Sequence, residues 1–92
     1  MEIKWTDEDP ESGERRFVKA DRFAGFWTFR YRRTRRGEWA RLHPPSIDNW
    51  EVVLDALERR YQRREGVTED DIAQVKKILA ELKARQGIEE EE

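Results

Sequence analysis

Phe26-Trp27-Thr28-Phe29-Arg30-Tyr31-Arg32-Arg33-Thr34-Arg35-Arg36-Gly37-Glu38-Trp39-Ala40-Arg41-Leu42 is the stretch that decides how the rest of this chain folds. In extended backbone, successive side chains point to opposite faces. Trp27, Phe29 and Tyr31 then share one face, with Phe26, Thr28, Arg30 and Arg32 on the other. Thr34 to Gly37 suits a type I turn closed by Gly37 in the left-handed region. The stretch therefore reads as a β-hairpin that is aromatic on one face and arginine-rich on the other and at its tip. Two registers fit. One brings Trp39 to the aromatic face and sets Arg41 across from Tyr31, within cation–π reach. A one-residue slip brings Ala40 and Leu42 there instead, and the sequence leaves both open.

Upstream, Ile3 to Trp5 fits a short strand, and Thr6 to Gly13 is acidic and turn-rich, with Pro10 and Gly13 marking a loop. Arg15 to Ala20 fits a second strand pairing back on the first, and Asp21 to Gly25 a second turn. Downstream, His43-Pro44-Pro45 stops the sheet, because proline has no N–H for a ladder. Ser46 is placed to cap a helix. Ile47, Trp50, Leu54, Leu57 and Tyr61 recur at 3-4-3-4 spacing with Val53 beside them, one apolar stripe. Asp48 and Glu51 stand near the positive end of that helix and Arg59, Arg60, Arg63 and Arg64 near its negative end. Gly66 is a natural stop. Thr68 and Asp71 have the spacing of a capping box, with Val67 positioned to staple onto Ile72. Ile72, Val75, Leu79 and Leu82 repeat the stripe, with Ile78 widening it, and Gly87 reads as its end.

Matched stripes joined by a short link predict an antiparallel helix pair. The expected fold class is α+β: a small antiparallel meander of three or four strands, about residues 3–42, followed by helices over about 47–64 and 69–86 packed on its aromatic face. The expected core is Phe17 or Val18, Trp27, Phe29, Tyr31, Trp39, Trp50, Val53, Leu54, Leu57, Tyr61, Ile72, Val75, Leu79 and Leu82.

Ninety-two residues fit one domain, here 1–88, with 89–92 a disordered acidic tail. Only 36% of residues are hydrophobic, but ten are aromatic and bury large areas each, which makes a small core attainable. A charged fraction of 43% with net charge −2 means interspersed signs and argues against polyanion binding by the whole surface. The absence of cysteine excludes thiolate chemistry. No apolar run approaches a membrane span and the first residues do not resemble a signal peptide, so a cytoplasmic location is expected.

Function is read from one asymmetry. Between Arg15 and His43 ten basic residues face only Asp21 and Glu38. A two-stranded ribbon of this kind can lie along a phosphate backbone, with guanidinium forks gripping phosphate oxygens. The candidate anion-binding residues are Arg30, Arg32, Arg33, Arg35 and Arg36, helped by Arg15, Arg16 and Arg41. The expected role is a non-enzymatic binding domain, with nucleic acid as partner. The alternative is a protein-interaction module in which the ribbon docks an acidic partner or a sheet edge accepts a strand. Trp27, Phe29 and Tyr31 are assigned to the core rather than to base stacking. Asp7-Glu8-Asp9-Pro10-Glu11-Ser12-Gly13 looks like the start of a calcium loop, but Gly13 falls one place late and Val18 stands where the closing glutamate belongs. His43, the only histidine, sits beside two prolines, and Ser46 is better used as a cap than as a nucleophile. No catalytic group, cofactor, metal, membrane or small-molecule substrate is called for.

Overall fold

The computed structural model describes the backbone of residues 1–91 and the side chains of residues 1–87. The side chains of the acidic tail expected over 89–92, and all of Glu92, lie outside the described residues. The fold is α+β: strands β1 (Glu2–Glu8), β2 (Arg15–Phe23), β3 (Phe26–Arg32) and β4 (Ala40–Arg41), then helices α1 (Ile47–Gln62) and α2 (Glu69–Glu91). The chain divides into two compact units, Met1–Pro45 and Ser46–Glu92.

The first unit is an antiparallel meander in the order β1-β2-β3-β4. β1 runs three residues further than its apolar pattern suggests. Its acidic end is drawn into the sheet because Asp7 faces Arg16 and Glu8 faces Arg15 across the ladder, and opposite charges in that position stabilise pairing. β2 and β3 are joined by a two-residue turn, Ala24-Gly25, with φ of 52° and 80°. Positive φ at both positions is the type I′ geometry, whose twist matches that of the strands.

The β3–β4 register settles the open question: Tyr31 pairs with Ala40 and Arg30 with Arg41, and the Leu42 N–H donates to Phe29 O at 2.8 Å. This is the slipped register, so Ala40 rather than Trp39 lies on the aromatic face. The turn before it carries the expected Gly37 N–H to Thr34 O bond at 3.3 Å. Gly37, however, is not left-handed. Glycine serves close approach here, since a Cβ at this position would lie 2.7 Å from Thr34 Oγ1.

Ile3, Val18, Ala20 and Phe29 are buried, and all four fall on one sheet face, with Trp5 edge-on to Phe29 at 6.3 Å. From Arg16 to Asp21, β2 alternates between buried residues on that face and half-buried ones on the other, the period of two expected of a central strand.

In the second unit both helix starts are closed reciprocally. Ser46 Oγ accepts from the Asn49 N–H (3.1 Å) and Asn49 Oδ1 accepts from the Ser46 N–H (2.9 Å). Thr68 and Asp71 do the same at α2, at 3.2 and 2.9 Å, as their spacing predicts. Asn49 standing in for the usual glutamate explains why a polar residue is buried in the first turn of α1. Trp50, Val53 and Leu57 of α1 and Val75 and Leu79 of α2 are buried, together with Val67 of the link. The helices are antiparallel: Lys83 reaches Glu51 (3.2 Å) at one end, and the Tyr61 hydroxyl donates to Glu69 (3.0 Å) at the other.

The core thus gains Ile3, Ala20 and Val67, and loses Tyr61, which is 40% exposed. Trp27, Tyr31, Trp39, Leu54, Ile72 and Leu82 are only half-buried. α2 runs through Gly87, whose φ is not positive, because a glycine ends a helix only when it turns left-handed.

α1 does not end at Gly66. The Arg64 N–H donates to Tyr61 O (3.1 Å) and the Glu65 N–H to Arg60 O (2.9 Å), the two bonds of a Schellman motif, with Arg64 at φ 58° in the place usually held by glycine. An L-residue there is strained. Arg64→Gly is therefore expected to stabilise the fold by about 0.5–1 kcal/mol, read as a rise of about 3–6 °C in Tm. An unchanged or lower Tm would refute the assignment of strain.

Candidate nucleic-acid interface

The strand registers sort the basic residues of the sheet onto two faces, and the two groups have different fates. Arg16 lies on the buried face and is itself 7% exposed. Its Nε donates to Asp7 Oδ1 at 2.7 Å and its Nη2 to Asp7 Oδ2 at 3.2 Å, a forked pair. The bond to Asp7 raises the Arg16 pKa, while burial lowers it. Arg33, one residue beyond β3, donates to Asp9 Oδ2 (2.8 Å) and Glu14 Oε2 (3.1 Å). The Asp9 carboxyl is held below the usual aspartate range, first by the Glu11 N–H and then by Arg33. Both guanidinium groups also lie over the Tyr31 ring, at 5.5 and 5.7 Å.

Arg16 and Arg33 thus lie apart from the other predicted residues. Their donors are committed to carboxylates, and the alternation that places Arg15 and Arg32 on one face puts Arg16 and Arg33 on the other. Asp7 and Asp9, from the stretch that looks like a calcium loop, here accept from arginine. The expected Arg41–Tyr31 contact is replaced by these two. Among the described residues no group of three or more His, Cys, Asp or Glu is arranged to hold a metal ion.

The opposite face is the more exposed of the two: Lys4, Arg30 and Arg41 are exposed on it, and Lys19 and Arg32 are half-buried. Lys4 pairs with Lys19, Lys19 with Arg30 and Arg30 with Arg41, so one row of four cations crosses all four strands in register. At the usual strand spacing the row is about 14 Å long. Like charges directly opposite one another are destabilising in a sheet. Glu2 and Asp21, one row along, relieve part of this. Glu2 holds Lys4 at 3.2 Å, and Asp21 lies 4.0 Å from Lys19 and 3.6 Å from Arg30. Lys4 and Glu2 are both exposed, which keeps their pair weak, whereas Lys19 and Asp21 are half-buried and their distance is long.

On the other side of the row Trp39 lies against Arg32, at 4.3 Å, and Lys19, at 4.6 Å. That is where Trp39 goes in the slipped register: its ring stiffens two cations. The Arg32 Nη1 also reaches Gly37 O at 3.5 Å. Arg35 and Arg36 are exposed in the β3–β4 turn, and Arg15 is exposed at the far end of β2, where its Nη2 lies 3.5 Å from Thr6 Oγ1.

Of the eight predicted residues, Arg15, Arg30, Arg32, Arg35, Arg36 and Arg41 are therefore brought to the open face or its edge. Lys4 and Lys19 complete the row and were not candidates, because only the pairing of strands distant in sequence makes them neighbours. Their signal was position parity within β1 and β2, usable only once both registers are known.

Fold and face together define a class: a small α+β domain with a cationic row laid across a four-stranded antiparallel meander. No protein-family model matches the chain, no curated protein matches it in sequence, and no solved structure matches its fold. No helix among the described residues is long and apolar enough to cross a membrane.

Proposed function

We propose that this chain is a non-enzymatic binding domain that takes a nucleic-acid backbone across the open face of its sheet. The observation that carries the reading is the in-register row Lys4-Lys19-Arg30-Arg41. A row about 14 Å long, with Lys4, Arg30 and Arg41 exposed and Lys19 half-buried between them, is too extended for a single small anion and suits a polymer of regularly spaced phosphates. Arg32, Arg35 and Arg36 extend it along one side, and planar guanidinium groups suit phosphate oxygens. The strain of opposed like charges is what a polyanion would relieve.

Binding of this kind is electrostatic, with little sequence preference. Titration against labelled single-stranded and duplex oligonucleotides at roughly 50 and 200 mM salt tests it. With about four phosphates engaged on a single strand, affinity is expected to fall roughly thirty- to a hundredfold between the two salts. No binding at micromolar protein in the lower salt would end the reading.

A further inference from the structure

At the end of the open face, beyond Thr28 and Asp21, stands a pair of phenylalanines. Phe23 and Phe26 pair directly across the β2–β3 turn and are 86% and 76% exposed. A single exposed apolar side chain is ordinary, but two aromatic rings set side by side on the face that carries the cations are not. Parity places them there: Phe26, Thr28 and Arg30 follow one another at two-residue steps, so about 13 Å separates Phe26 from Arg30 along the strand. The turn that carries the rings is held in type I′ form with Ala24, an L-residue, at φ 52°.

We infer that Phe23 and Phe26 stack on unpaired bases, so that the domain selects single-stranded over duplex nucleic acid. This deepens the backbone-binding reading and rests on it. Phenyl rings carry no donor or acceptor, so they offer any base a π-face without reading its edge, which fits a site whose other contacts are phosphate-directed. Bases inside a duplex are already stacked on one another and cannot reach a ring on a flat sheet. Two rings followed by Thr28 and flanking charges form too small an apolar area to anchor a membrane or a protein by themselves. A few nucleotides of single strand span the distance from rings to cations.

The test uses oligo-dT and oligo-U of about twelve nucleotides and a duplex of the same length at low salt. It compares the unaltered chain with the double variant Phe23→Ala/Phe26→Ala, whose fold is checked by circular dichroism. Because both rings are exposed, the variant keeps its core. The single strands are expected to bind at least tenfold tighter than the duplex. Each ring removed should lower single-strand affinity about tenfold and leave duplex affinity unchanged.

Equal affinity for single strand and duplex, indifferent to the double substitution, overturns this inference and leaves backbone binding standing. No binding of any oligonucleotide to the unaltered chain overturns both. Binding to anionic phospholipid vesicles that disappears in the double variant, with no loss of oligonucleotide affinity, assigns the rings to a membrane surface and also overturns it.

Discussion

Asp7→Ala is expected to destabilise this protein by about 3 kcal/mol, a fall of roughly 12–20 °C in Tm. The reason is Arg16, which is 7% exposed and spends its fork on Asp7 alone. Without that carboxylate a guanidinium charge is left buried, facing only the Tyr31 ring and the more distant field of Asp9. The loss sits at the low end of the range for broken buried pairs because the Asp7 side chain is 26% exposed.

The neighbouring Arg33 provides the contrast. It bonds two carboxylates, yet its side chain is 42% exposed, so Arg33→Ala should cost far less than Asp7→Ala. Replacing both members of the buried pair with apolar residues of similar volume, Asp7→Val with Arg16→Met, should recover most of the stability lost by Asp7→Ala. Chemical denaturation of the four proteins measures all three differences. A loss below 1 kcal/mol for Asp7→Ala would mean that Arg16 reaches solvent and that the two faces are less segregated than described.

Arg41→Glu should move stability and binding in opposite directions. Arg41 stands directly across from Arg30, and an acid there turns a repulsive pair into an attractive one, worth about 0.2–1 kcal/mol of added stability. The same change places a negative charge at the end of the cationic row. Single-strand affinity at low salt should then fall at least tenfold, and the salt slope should shrink by about one unit as a phosphate contact is lost. Denaturant midpoints and oligonucleotide titrations on the same preparation read both effects. A variant that is less stable, or that binds as before, would detach the row from the proposed function.

The opposed signs express one general point about this sheet. Residues 2–41 include more charge than a stable small sheet requires, and the two faces handle it differently. On the buried face Arg16 is matched to Asp7, and Arg33 to Asp9 and Glu14. On the open face four cations are stacked against one another and only partly relieved. Charge arranged for stability looks like the first. The second arrangement costs stability.

Much of the architecture could be read from local pattern. The 3-4 spacing of Trp50, Val53 and Leu57 and of Val75 and Leu79 fixes two amphipathic helices without reference to anything outside them. The Ser46 and Thr68 caps need only residues three apart. Alternation in β3 correctly separated Phe29 from Arg30. Periodicities of two and 3.6 are properties of the backbone, so they survive in sequence alone.

What needed tertiary structure was everything that depends on which strand faces which, and by how many residues. Trp39 changed faces on a one-residue slip. Arg16 and Arg33 are held by Asp7, Asp9 and Glu14, which are separated from them by up to two dozen residues and lie beside them in the folded sheet. Lys4 and Lys19 entered the candidate site for the same reason. Composition and spacing determined that this protein has a basic, ring-bearing meander followed by a helix pair. Only the register between strands decided which cations share a row and which acids from distant strands lie beside Arg16 and Arg33, because that partnership is set by distance in space.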